Sequence, residues 1–313
     1  MVVLPVRRKE CQDGRSAGAP CFGVASMQGW REEMEDAHLA LPDFDPERGL
    51  SLFGVFDGHG GEVVAQLVSE RLPETLRGLP EYRAGRFQEA LFKAFMAQDD
   101  YLRSPEGRRM LAKRKANAMG MGSTAVVALL NASKRELFVA NCGDSRAVLV
   151  SGKGAVAMSQ DHSPLLPAEL QRIRRAGGTV NREGRVDGNL NLSRAIGDLF
   201  YKRNRALGPE AQLITAVPEV RRRALGAHDR YLLLGCDGVW ERFTNQQVVD
   251  FLLPRLPAGR LSVACSAFLD RALSRNPERT NGLGCDNMTL LCIELAEGLE
   301  VVGRPSGLKP LER

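Results

Sequence analysis

The chain has 313 residues, 43 of them Lys or Arg against 38 Asp or Glu, and a hydrophobic fraction of 43%, which suits a full core and excludes a chain disordered by composition. Its net charge of +5 is scattered, without the aromatic interleaving or basic stripe of a nucleic-acid groove, and such mild basicity fits an anionic substrate equally well. Seven cysteines without a CxxC pair indicate neither a disulfide framework nor a zinc site, and no stretch reads as a membrane span.

Along the chain, residues 1–20 are rich in Gly, Pro and charge without apolar periodicity and read as a tail, as do residues 299–313; the body is expected over 21–298. The order of charge and apolar residues near Met1 reverses that of a signal peptide, so a cytoplasmic location is expected, with the nucleus also open. Strand-like runs occupy 21–27, 50–56, 123–130, 136–141, 146–151, 230–235 and 288–295, several apolar throughout, so both faces of their sheets should be covered. The runs at 136–141 and 146–151 are separated by Cys142-Gly143-Asp144-Ser145, which reads as a hairpin connection. Helices are expected over 62–72, from Phe87 on a Phe87, Ala90, Leu91, Ala94, Phe95 face, over 167–176, from Thr244 with capping-box spacing to Gln247, and over 262–274. The charge runs at 108–115 and 221–223 read as charged helix faces rather than targeting signals. Strands in groups and helices in blocks, without regular alternation, indicate an α+β fold: a four-layer αββα sandwich of two antiparallel sheets with helices outside.

Chemistry concentrates at two Asp-Gly pairs that each follow an apolar run, Asp57-Gly58 and Asp237-Gly238. By itself the dipeptide signals a turn, as Asp187-Gly188 illustrates between two short strand-like pieces. Together with Glu35-Asp36 upstream and Asp286-Asn287 downstream, however, the two pairs make four separated segments that supply hard oxygen ligands, the donor set of Mg²⁺ or Mn²⁺. Two such ions can acidify a shared water and clamp the oxygens of an in-line displacement at phosphorus. The chain has no Walker loop that would indicate a different phosphoryl chemistry.

The stretches 26–38, 56–61, 122–125, 141–146, Asp161-His162, 192–198, 236–240 and 286–289, in this order and spacing, resemble the metal-dependent protein serine/threonine phosphatases of type 2C, the PPM family. The resemblance implies that Asp57 bridges two metals, that Asp237 and Asp286 complete one site, and that Glu35 and the Gly58 carbonyl complete the other. It implies further that Asp36 and Asn287 support these ligands, that Arg31 binds phosphate, and that His59 is the general acid for the departing serine or threonine oxygen. Asp144 matches a residue of a third, weaker metal site, and Glu241 stands where relatives usually carry Asp. The implied reaction is hydrolysis of phosphoserine or phosphothreonine in phosphorylated proteins by a hydroxide bridging two Mg²⁺ or Mn²⁺ ions, in a monomer without nucleic-acid or membrane partners. The alternatives are a catalytically weak or inactive binding scaffold, which would need lost ligands, and a small-molecule phosphohydrolase of the same fold. Lys202, Arg203 and Arg205 lie where the family carries a variable flap, and read either as peptide-steering residues or as a solvated charge run.

Overall fold

The structure, a computed structural model, describes residues 4–14, 20–256 and 260–295. Among the described residues the strands are β1 Val6–Gly14, β2 Phe22–Gly29, β3 Ala37–Asp45, β4 Leu50–Phe56, β5 Gly58–His59, β6 Gly122–Ser123, β7 Ala125–Asn131, β8 Glu136–Cys142, β9 Arg146–Ser151, β10 Gly154–Ala157, β11 Ile196–Gly197, β12 Glu219–Ala224, β13 Asp229–Gly235 and β14 Met288–Glu294. The helices are α1 Val63–Gly78, α2 Pro80–Arg83, α3 Phe87–Arg103, α4 Pro105–Lys113, α5 Pro167–Arg175, α6 Asp237–Trp240, α7 Asn245–Leu252 and α8 Leu261–Ala272. One sheet runs β1-β2-β14-β13-β9-β10, the other β12-β8-β7-β4-β3, and a small third sheet runs β11-β6-β5.

Why the central strands are apolar on both faces follows from the two cores. In β4, Phe53 and Val55 join the core shared with Val24, Val148 and Leu233 of the opposing sheet, whereas Leu50, Leu52 and Phe56 join the core under α1 and α3. The same alternation sorts Val126 and Ala128 of β7 from Val127 and Leu129. Helices α7 and α8 cover the outer face of the first sheet through Val248, Val249, Phe268 and Leu269. The result is the expected sandwich with helices outside. On α3 the Phe87, Ala90, Leu91, Ala94 and Phe95 stripe is buried as its spacing predicts.

The capping box at Thr244 is formed: Thr244 Oγ1 accepts from Gln247 N–H at 3.3 Å, and Gln247 Oε1 accepts from Thr244 N–H at 2.9 Å. Thr244→Ala should therefore lower unfolding free energy by about 1 kcal/mol, and Thr244→Ser should restore most of it, in urea titrations followed by circular dichroism. A loss no larger than a surface Thr→Ala control would show that the cap does not carry the start of α7.

Four readings of the sequence change. The runs at 136–141 and 146–151 do not pair with each other: β8 lies between β7 and β12, and β9 lies between β13 and β10 of the opposite sheet. Their connection is a corner between sheets, with Gly143 at φ +116° packed so closely on Thr124 that a Cβ would collide with it. Residues 6–14, expected within a tail, form the edge strand β1 antiparallel to β2. Its polar sequence carries no alternation because the strand is largely exposed, but Lys9 pairs with Asp270 at 2.7 Å and Asp13 accepts from the N–H and hydroxyl of Ser262 at the start of α8. Arg221, Arg222 and Arg223 lie on edge strand β12 rather than a helix, paired with Glu219, Glu136 and Asp229, as charged edges resist further strand pairing. Lys202 is buried, not exposed to a peptide. The charge run at 108–115, by contrast, falls largely on α4, and Asp187-Gly188 makes a tight turn with Val186 bridging Leu190. The proposed C-terminal tail lies outside the described residues.

Candidate metal centre and active site

The acidic residues reach one place because the central strands of both sheets end there. Asp57 follows β4, with its N–H bonded to Thr124 Oγ1 at 3.2 Å and its carbonyl accepting from Thr124 N–H at 2.9 Å. Asp237 opens α6 directly after β13, and Asp286 precedes β14. The loop between β2 and β3 brings Arg31, Glu35 and Asp36. Asn287 ties that loop down: its amide donates to the carbonyls of Gln28 and Glu33 at 2.8 and 2.9 Å, and its Oδ1 accepts from Glu35 N–H at 2.8 Å.

Neither glycine of the two Asp-Gly pairs has a positive φ. Both are needed for close approach instead: a Cβ on Gly58 would collide with the Glu35 carbonyl, and one on Gly238 with the Asn287 carbonyl. Gly238 therefore does more than let the chain turn. It allows the Asp237 segment to lie against the Asp286-Asn287 segment.

Three clusters bring ligand atoms within 4.8 Å of one another: Asp57, Asp144 and Asp237; Asp237, Glu241 and Asp286; and Asp36, Asp57 and Cys236. Asp57 and Asp237 thus link neighbouring clusters. Glu35 belongs to none of the three, although its backbone abuts Gly58. Asp144 and Glu241 share no cluster, and Glu241 Oε2 accepts from Gly284 N–H at 2.8 Å. The extra methylene of Glu241 thus serves the loop before Asp286, a use the sequence did not show.

Electrostatically the site is strained toward cation uptake. Burial, then the charges of Asp36 and Asp144, push the Asp57 carboxyl well above the ordinary range; burial, then Asp57 and Asp286, do the same to Asp237. Asp144 is raised by burial and by Asp237 and Asp161. Burial lifts Asp36 to about 7, against a hydrogen bond from Thr289 that favours its charged form. Asp36 Oδ2 accepts from Thr289 at 2.7 Å, while its buried Oδ1 has no hydrogen-bond partner. Opposite these carboxylates stands Arg31, whose Nη2 lies 2.5 Å from Asp286 Oδ2 with the side chain 58% exposed. One rim guanidinium cannot neutralise so many buried carboxylates, and a hard oxygen set with an orphaned buried oxygen fits divalent cations.

His59 Nε2 lies 2.6 Å from Oδ2 of Asp198, which is buried and adopts left-handed backbone at φ 48°. A Cβ on Gly122 would intrude between them. Asp198 thus orients the imidazole, a role that its place in the 192–198 stretch did not reveal; a non-glycine residue held at positive φ marks such a site only once the fold is known.

The Protein phosphatase 2C family model matches residues 21–280. The chain is 44% identical over 282 residues to "Probable protein phosphatase 2C 2" of Paramecium tetraurelia, covering 88% of this chain and 92% of that protein. It is 40% identical over 282 residues to "Protein phosphatase 2C homolog 2" of Schizosaccharomyces pombe, covering 88% and 73%. Its fold matches the crystal structure of serine-threonine phosphatase 2C from Toxoplasma gondii with a TM-score of 0.75 and 21% identity, covering 94% of this chain and 98% of that one. With acidic groups that can hold metal converging at the ends of both sheets, the chain belongs to the protein phosphatase 2C family and is a metal-dependent protein phosphatase.

Proposed function

We propose that the enzyme hydrolyses phosphoserine and phosphothreonine in proteins, using two Mg²⁺ or Mn²⁺ ions held by Asp57, Asp237, Asp286, Glu35 and the Gly58 carbonyl. The observation that carries this reading is the convergence of Asp57, Asp237 and Asp286, from separate segments, into linked clusters beside Arg31. When bound, the ions supply Lewis acidity and an acidified water as nucleophile. The protein's own residues do the rest. Arg31 keeps exposed guanidinium N–H groups while one nitrogen engages Asp286, so it can bind phosphoryl oxygens without leaving its anchor. His59, held through Nε2 by Asp198, has Nδ1 to carry a proton toward the departing oxygen. Asn287 and Thr289 hold the backbone of Glu35 and the carboxyl of Asp36 in place, the outer support that ligands require. Asp144 supports a weaker further ion beside Asp57 and Asp237. The enzyme acts as a monomer in the cytoplasm or nucleus.

The test is phosphate release from a phosphothreonine peptide and from p-nitrophenyl phosphate, with Mn²⁺, Mg²⁺ or EDTA. Turnover of the peptide that requires added metal is expected. Turnover of the aryl ester alone would favour the small-molecule alternative, and no turnover of either would favour the scaffold. For His59→Ala, the rate loss should be about 100-fold or more on alkyl phosphates and much smaller on p-nitrophenyl phosphate, whose leaving group needs no proton. Equal losses on both would remove His59 from the acid role.

A further inference from the structure

His59 also forms one wall of a cavity of about 330 Å³ whose other walls include Met119, Asn189, Leu190, Asp198, Phe200 and Tyr201. Met119 and Phe200 are 36% and 51% exposed, a Met and a Phe presented to solvent side by side next to the catalytic histidine. We propose that this cavity is a specificity subsite that receives an apolar side chain of the phosphoprotein substrate, within three residues of the phosphorylated position. The proposal rests on the reading of His59 as the acid at the serine or threonine oxygen.

Packing holds this apolar surface in place from behind. Phe200 N–H donates to the Met119 carbonyl at 3.0 Å, Leu199 N–H to Ala118 at 2.9 Å, and Asp198 N–H to Met121 at 2.9 Å, so the two walls are stitched together along their backbones. Phe200 packs edge-on against Tyr201 at 5.4 Å, and the Arg203 guanidinium lies 4.0 Å from the Phe200 ring centroid while its Nε donates to the Phe200 carbonyl at 3.0 Å. A rigid apolar wall loses little entropy when it is covered, so its burial converts efficiently into affinity.

The occupant follows from continuity with the active site. If the leaving oxygen reaches His59, the substrate backbone lies within a side chain's length of it, and neighbouring residues are spaced at about 3.3 Å along an extended chain. At about 330 Å³ the cavity has room for a large apolar side chain. The one carboxylate in the lining, Asp198, is already engaged by His59, and the Arg203 guanidinium stacks on Phe200, so a basic occupant finds no free counter-charge there.

The test uses matched phosphothreonine peptides that carry Ala, Leu or Arg singly at each position from three before to three after the phosphothreonine, with kcat/KM measured for each. The full-length enzyme should prefer Leu over Ala by about tenfold at one position, chiefly through KM, with Arg the poorest. In Phe200→Ala/Met119→Ala the Leu-to-Ala ratio should fall to about 1–2, while Phe200→Leu should retain it. Because the ratio is internal to each variant, partial loss of folded protein does not move it. Peptide turnover with no position preferring Leu by threefold, or a preference that survives the double substitution, overturns the subsite alone. If no phosphopeptide is hydrolysed at all, the substrate reading falls and the subsite falls with it.

Discussion

Asp57→Asn should cut turnover on the order of a thousandfold and yet, in metal-stripped protein at pH 8, raise the melting temperature. Both effects share one cause. Asp57 is buried with its carboxyl pushed up by burial and by Asp36, Asp144 and Asp286, so without cations its charge is a cost to the folded state. Asparagine keeps the shape and removes the charge, a gain of about 2 kcal/mol or a few degrees. Added Mn²⁺ should stabilise the wild type by mass action and stabilise Asp57→Asn much less. Scanning fluorimetry with EDTA and with Mn²⁺ reads all four states. A variant that melts below wild type in EDTA would mean that its carboxylate is satisfied by the protein alone, contrary to the clustered geometry.

The second large effect lies away from the metals. Lys202 Nζ is buried 2.6 Å from Asp99 Oδ2 and donates to the Ala195 carbonyl at 2.7 Å, while Asp99 Oδ1 accepts from Gly197 N–H at 2.8 Å. Removing one partner of such a pair strands the other charge, so Lys202→Met should lose about 3–5 kcal/mol in urea unfolding. Asp99→Leu/Lys202→Met should regain much of this, because the stranded charge goes too. Gly197 directly precedes Asp198, so the single variant should also lower turnover by loosening His59. Unchanged stability in Lys202→Met would show that Arg103, 3.7 Å from Asp99 Oδ2, suffices to hold that carboxylate.

How far the sequence was legible depended on whether a segment's role was local. The α3 stripe and the Thr244 capping box are set by residues within one or two turns, and both were readable. Strands apolar throughout announced sheets covered on both faces, though not which face met which core. The edge strands β1 and β12 were not legible because exposed edges need charge rather than alternation. The corner at Cys142–Ser145 misled because the same turn chemistry closes a hairpin or crosses a sandwich, and only the partners of β8 and β9 decide between them.

In the site, the carboxylates were visible as residues that strands deliver to one end, and resemblance assigned them roles. Pairings across long separations were not: His59 with Asp198, 139 positions apart, and Lys202 with Asp99, 103 apart, depend on backbone stitching between 118–121 and 198–200 and on α3 crossing beneath β11. Glu241 reads as a metal ligand by position, and only the structure shows its carboxylate engaged by Gly284.

The most direct test of the centre is a titration of metal-stripped protein with Mn²⁺, heat and phosphopeptide turnover being recorded in parallel. Two ions should bind tightly per chain, turnover should rise from near zero as they do, and Asp237→Asn should lose both responses. Full turnover in the metal-free protein, or turnover restored without stoichiometric binding, would contradict the account.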